Sequence, residues 1–273
     1  MTESLLEALL RRDRIVVAVA LAALTALTWT YMLWLVADMD MGGMDMTGFR
    51  MIPAGIGLMA PALAPWTAVE FAYVFAMWAV MMAAMMIPSA APMILIYARA
   101  GREASAQNKP FAATGWFATG YLLAWFGYSL AATAAQWALE RAALLDPMMV
   151  GTSQVFGGIV LIAAGVFQWM PLKDTCLAHC QSPLLFIQRH GGFHRDPRAS
   201  LALGLHHGAH CVGCCWALMA LLFVGGVMNV LWIAAISAFV LVEKIAPGGG
   251  RLISRIAGVG FAAAGAVLIA GSN

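Results

Sequence analysis

The sequence predicts an all-α, polytopic membrane bundle of seven transmembrane helices, with the N-terminus in and the C-terminus out. Three observations lead there. The first is composition: 63% of the 273 residues are hydrophobic and 10% are charged, with a mean hydropathy of +0.84. Soluble domains carry about 25% charged residues. The second is a series of long apolar runs. About 20 apolar residues cover the ~30 Å of a bilayer's hydrocarbon, and helices satisfy their own backbone there. The third is where the basic residues fall. With the N-terminus in the cytoplasm, 13 of the 15 Lys and Arg residues lie on that side, and Arg50 and Arg141 lie outside. A positive-inside bias of this size fixes orientation. The net charge of +2 adds little.

The first predicted span covers 15–37 and follows Arg11, Arg12 and Arg14. It is longer than a signal-peptide core and no A-x-A-like cleavage site follows it, so it is expected to be retained. The second covers 66–97, where Pro88 and Pro92 are expected to kink or end the helix. The third and fourth cover 111–139 and 152–170. The fifth covers 201–224, Gly225-Gly226 makes a tight turn, and the sixth covers 227–242. A Pro-Gly-Gly-Gly break at 247–250 precedes the seventh, 253–270. No repeat or linker divides the chain. It reads as one integral membrane domain, 1–273, with a Met-rich outer loop at 38–65 and a cytoplasmic Cys/His loop at 171–200.

The chemistry concentrates in the fifth span, G-L-H-H-G-A-H-C-V-G-C-C. His206, His207, His210, Cys211, Cys214 and Cys215 fall within ten residues of an apolar run. Ionisable groups are expensive in hydrocarbon, and imidazole and thiol are ligands for soft and borderline metals. Residues three and four apart share a helix face. His207, Cys211 and Cys214 form one row; Cys211, Cys215 and Met219 form another. Gly204, Gly208 and Gly213 let a neighbouring helix come close. The alternative is a set of polar groups hydrogen-bonding between helices, with the cysteines as small buried hydrophobes. A hairpin turning at Gly225-Gly226 puts Glu243 level with Gly208, beside His207. There it would be a ligand, a partner for imidazole or a proton acceptor, or else half of a Glu243–Lys244 pair at a helix end.

Methionine extends the pattern. Twelve of 19 methionines lie between positions 39 and 93. The outer loop reads D-M-D-M-G-G-M-D-M, in which Met39, Met41, Met44 and Met46 alternate with Asp38, Asp40 and Asp45. Thioether is soft and needs no deprotonation, which suits Cu(I). Met77, Met81 and Met85 then line one face of the second span, with Met82 and Met86 beside them. They form either a sulfur-lined route for a soft cation or ordinary core packing. On the inner side, Cys176, His179 and Cys180 precede His190 and His194 as C-x3-C-x9-H-x3-H. The pattern loosely resembles a zinc finger, which makes Zn a second metal to consider, although the central gap is shorter than usual finger spacing. All five cysteines lie on or near the inner side, where paired thiols serve metal or redox chemistry more often than disulfides.

Together, M-W-A-V-M-M-A-A-M-M-I-P-S, P-L-K-D-x-C-L-x-x-C, H-H-G-x-x-C-V-G-C-C-W-A-L-M, G-V-M-N-V-L-W-I-A-A and V-E-K resemble a bacterial family. It is known as a domain of unknown function, described as predicted metal-binding integral membrane proteins. The resemblance covers about 66–269. It implies His207, Cys211, Cys214 and Cys215 as ligands, associated with Cys176 and Cys180; Asn229 and Glu243 also match motif positions. The M-x-M-x-x-M-x-M loop is similar to the Met-rich segments of Ctr-type copper transporters.

The expected function is a metal-binding protein of the bacterial inner membrane that captures, transports or delivers a soft ion, most readily Cu(I). Its expected partners are the lipid bilayer, the ion and a cytoplasmic or periplasmic metal acceptor. Two alternatives stand beside it: a thiol or metal redox enzyme using Cys211, Cys214 and Cys215, and a structural bundle with a metal clasp. No catalytic residue is assigned. No P-loop, Rossmann fingerprint, haem-attachment or H-E-x-x-H motif is present. The basic residues follow topology and call for no nucleic acid.

Overall fold

The computed structural model describes residues 5–39, 48–62, 64–106, 114–146, 149–192, 196–246 and 249–272. Its helices in chain order are α1 (Leu5–Met39), α2 (Ala68–Ala106), α3 (Thr114–Arg141), α4 (Gln154–Phe167) and α5 (Pro171–Gln181). Then follow α6 (Pro183–Arg189), α7 (Pro197–Ala220), α8 (Leu222–Gly225), α9 (Val230–Ile245) and α10 (Gly250–Ala270). The all-α expectation holds apart from one antiparallel hairpin, β1 (Phe49–Met51) with β2 (Met59–Pro61).

Each of the seven predicted spans is helical. Among the described residues, four helices, Ile15–Met39, Ala68–Gly101, Pro197–Gly225 and Gly250–Ala270, are long and apolar enough to cross a membrane. The pair α4 and α5, bent by 65°, would make a fifth as one broken span. The helix α9 has 16 residues, a rise of about 24 Å.

Local signals explain the helix ends. Asp196 caps α7 by accepting from Ala199 N, with Pro197 in the first turn. Asn229 caps α9 by accepting from Trp232 N after the turn at Gly226, whose φ is 97°. Pro88 and Pro92 sit inside α2 without ending it. A proline frees the carbonyl four residues back, and for Pro88 that carbonyl belongs to Ala84. It accepts from Trp29 Nε1 on α1 at 3.1 Å. The next two carbonyls are also covered: Met85 O by Ser237 Oγ of α9, and Met86 O by Tyr121 OH of α3. The proline turn is thus a hub where three helices meet.

The buried helices are α2 and α7; α1 and α10 lie at the periphery. The main pairings are α3 on α7, α4 on α10, α1 on α2, α2 on α3, and α5 on α7. Close approach of α3 and α7 depends on glycine. A Cβ at Gly204 would lie 2.0 Å from Phe117 O, and one at Gly120 would lie 2.1 Å from Leu201 O. The segment expected as a cytoplasmic loop is largely helical: α5 and α6 fold back so that α5 covers α7.

Candidate metal centre

The glycine-bearing face of α7 that packs on α3 also carries the buried thiols. Cys211, Cys214 and Cys215 are buried and lie in one core cluster with Met77, Met81, Met82, Met85 and Met86. All five cysteines are free thiols. From α5, Cys180 lies beside the Cys211 and Cys214 thiols. Cys176, also buried, packs on the α7 backbone: a Cβ at Gly213 would lie 2.9 Å from its sulfur. Thiols from two helices therefore lie side by side, because α5 docks on α7 at Gly213.

Cys211 is the centre of this group. Its sulfur faces Lys244 Nζ of α9 at 2.9 Å and Tyr121 OH of α3 at 3.2 Å. Lys244 Nζ also donates to Ser89 Oγ of α2 at 3.1 Å. Cys214 and Cys215 turn their thiols onto the Cys211 carbonyl at 3.1 and 3.0 Å. These are hydrogen-bonding arrangements rather than ligand arrangements. Among the described residues, no three His, Cys, Asp or Glu side chains stand ready to hold a metal ion. The donor chemistry still suits a soft ion, and ligation would need the thiols to rotate away from their present partners.

Of the histidines, His207 is buried between Phe117, Tyr121 and Phe186, and its Nδ1 has no hydrogen-bond partner. A buried polar atom without a partner is uncommon, and this one lies one helical turn from Cys211. His210, His179 and His190 are arranged differently. Each ring is tied through Nδ1 to the carbonyl four residues earlier at 2.8 Å. Their rings gather around Phe186, with His179 and His210 centroids 4.4 Å apart. His206 is exposed and meets only the edge of this group, at His190.

Glu243 corrects the hairpin expectation. It does not stand beside His207; it accepts from Lys173 Nζ of α5 at 2.9 and 3.0 Å and from Ser254 of α10 at 2.6 Å. The expected partner was on the wrong face of α9. The helix α9 packs mainly on α2 and α10 and only slightly on α7. That turns Glu243 toward α5 and α10, and aims Lys244 at Cys211. The simple Glu243–Lys244 end pair is likewise absent among the described contacts. Sequence reasoning passed over Lys244, Lys173, Tyr121 and Ser89. A signal for Lys244 existed: Ile233, Ile236 and Val240 form the buried stripe of α9, and continuing it reaches Glu243 and Lys244.

On the opposite side, Met39 is buried at the end of α1. Met41, Met44 and Met46 lie outside the described residues, as does His194. Next to them Arg50 anchors the hairpin by a bidentate pair with Glu70 and bonds to the carbonyls of Pro61, Ala62 and Ala64. The Glu70 hydrogen bonds hold its guanidinium above its ordinary pKa, against the opposing effect of burial.

The family model of the copper chaperone PpoB2 matches residues 75–268, well over half of the chain. The chain belongs to the PpoB2 copper chaperone family. The matched region includes the α2 methionines, Cys176 and Cys180, all of α7 and the Glu243–Lys244 pair; α1 and the Met-rich loop precede it. No curated protein and no solved structure matches the chain. Family membership is copper-related, in agreement with the metal-binding resemblance of the motifs.

Proposed function

We propose that this member of the PpoB2 family is a seven-helix protein of the bacterial inner membrane that handles copper as Cu(I). In this reading the N-terminus is cytoplasmic and the C-terminus is outside. The outer methionines Met39, Met41, Met44 and Met46 capture the ion. Met77, Met81 and Met85 carry it inward along α2. Cys211, Cys214 and Cys180 bind it at the buried cluster, with Cys215 and His207 completing the donor set. Cys176, His179 and His210, with His206 at the edge, lie on the way to an acceptor protein; Glu243 holds α5 in place. Each step exchanges one soft donor for another, so binding stays labile. Zn(II) is the competing ion.

What supports this proposal is the placement of free thiols from α5 beside the buried thiols of α7 in a chain of a copper chaperone family. Cu(I) titration of the purified, reduced, lipid-reconstituted protein tests it. Tight binding near one ion per chain is expected, with loss in Cys211→Ser/Cys214→Ser. Undiminished binding in that variant, or none in the wild type, would remove the reading. A second reading, a membrane thiol oxidoreductase, draws on the Lys244 contact, since a neighbouring cation favours the thiolate. Reversible disulfide formation between α5 and α7 during turnover would favour it.

A further inference from the structure

The thiol cluster contains a positive charge that metal capture does not obviously need. Lys244 is buried, and its Nζ reaches Cys211 Sγ at 2.9 Å and Ser89 Oγ at 3.1 Å. The carboxylate next to it in sequence does not neutralise it. Glu243 is already held by Lys173 and Ser254, on the side of α9 that faces α5 and α10. A buried charge is tolerated where it is paired and costly where it is not. Among the described contacts, the cationic side chain facing Cys211 is thus balanced by no carboxylate.

We propose that Lys244 makes this site selective for singly charged soft ions. The inference rests on the thiol cluster being the ion site. Two cysteines that bind an ion lose their thiol protons to water, and no electron is transferred. Two thiolates around a monocation carry a net charge of −1, which the Lys244 ammonium cancels. The same two thiolates around a dication are already neutral, and Lys244 then leaves the buried assembly at +1. Cys211 and Cys214, one helical turn apart and both buried, supply such a pair, with Lys244 on the Cys211 side. Lys244 thus acts through Cys211, as a positioning and specificity residue rather than as a ligand.

Ag(I) and Hg(II) separate charge from geometry, because both are soft ions that take two thiolates in line and they differ by one charge. Affinity for each is measured on the full chain in lipid nanodiscs, with dithiothreitol as the competing dithiol. The wild type should favour Ag(I) over Hg(II) by about tenfold or more relative to dithiothreitol, as expected for a unit charge at close range in a low-dielectric site. Lys244→Arg should keep that preference. Lys244→Gln, uncharged but still able to donate to Cys211, should lose it. A wild type with no preference relative to dithiothreitol overturns the proposal even if Lys244→Gln fails to fold. So does a Lys244→Gln protein that keeps the preference, or one that loses both ions equally. A wild type that binds neither ion defeats the ion-site reading itself, and this inference with it.

Discussion

At Cys211, two donors from different helices converge on one sulfur: Lys244 Nζ from α9 and Tyr121 OH from α3. Removing that sulfur is a different event from removing its neighbours. Cys211→Ala would leave the Lys244 ammonium buried with Ser89 as its remaining partner. Breaking one side of a buried charged contact costs about 3–5 kcal/mol. Cys215→Ala would lose one thiol donor to a backbone carbonyl and a little packing, about 1–2 kcal/mol. Thermal unfolding in a fixed detergent should therefore rank Cys211→Ala clearly below Cys215→Ala. Equal unfolding temperatures would mean that the lysine does not depend on that sulfur.

At the level of elements, two contacts hold the cysteine-bearing helices in place. The first is the glycine contact of α7 on α3. A side chain at Gly204 meets the Phe117 backbone, which cannot move aside, whereas one at Gly127 on the open face of α3 meets nothing within 4 Å. Gly204→Val should abolish the folded protein, as judged by size-exclusion profile and protease resistance. Gly127→Ala should fold normally and gain about 0.5–1 kcal/mol by removing a mid-helix glycine. The second contact is the buried Lys173–Glu243–Ser254 group, which ties α5 to α9 and α10. Lys173→Met strands the carboxylate and should cost about 3–5 kcal/mol, while Lys173→Met with Glu243→Gln should recover most of it. Release of α5 should also be visible as faster alkylation of Cys176, which is only 7% exposed. An alkylation rate unchanged by Lys173→Met would show that α5 is held by something else.

For the whole molecule, the proposed membrane topology depends on which helices serve as spans. Four helices suffice by length and composition, and the bent α4–α5 pair would make five. Seven crossings require α3 and the 16-residue α9 to span as well. Short spans are accommodated by local thinning of the bilayer or by flanking residues that reach the interface. With the N-terminus in, an odd number of crossings puts the C-terminus outside. A reporter fused after Asn273 that is active only in the periplasm should then be active, and one fused in the 107–113 segment should be silent. The reverse pattern would overturn the orientation.

Much of this architecture was legible in the sequence, because hydrophobic length and turn residues are local properties. Apolar runs located every long helix, Gly225-Gly226 marked the break before α9, and the i, i+3, i+4 spacing placed His207, Cys211 and Cys214 on one buried face. The copper-related character of the family was legible too, since its motifs are contiguous stretches. Sequence did not show that 171–189 folds into α5 and α6, which bring Cys180 onto α7. It did not show that α2 continues through Pro88, because the freed carbonyl is capped by Trp29, 55 positions earlier in the chain. Above all, it could not tell Glu243 from Lys244. Adjacent residues on a helix point about 100° apart, and only the packing of α9 against α2 and α10 turns the carboxylate to Lys173 and the ammonium to Cys211. Spacing along one helix decides which side chains share a face; which partner that face meets depends on how the helices pack.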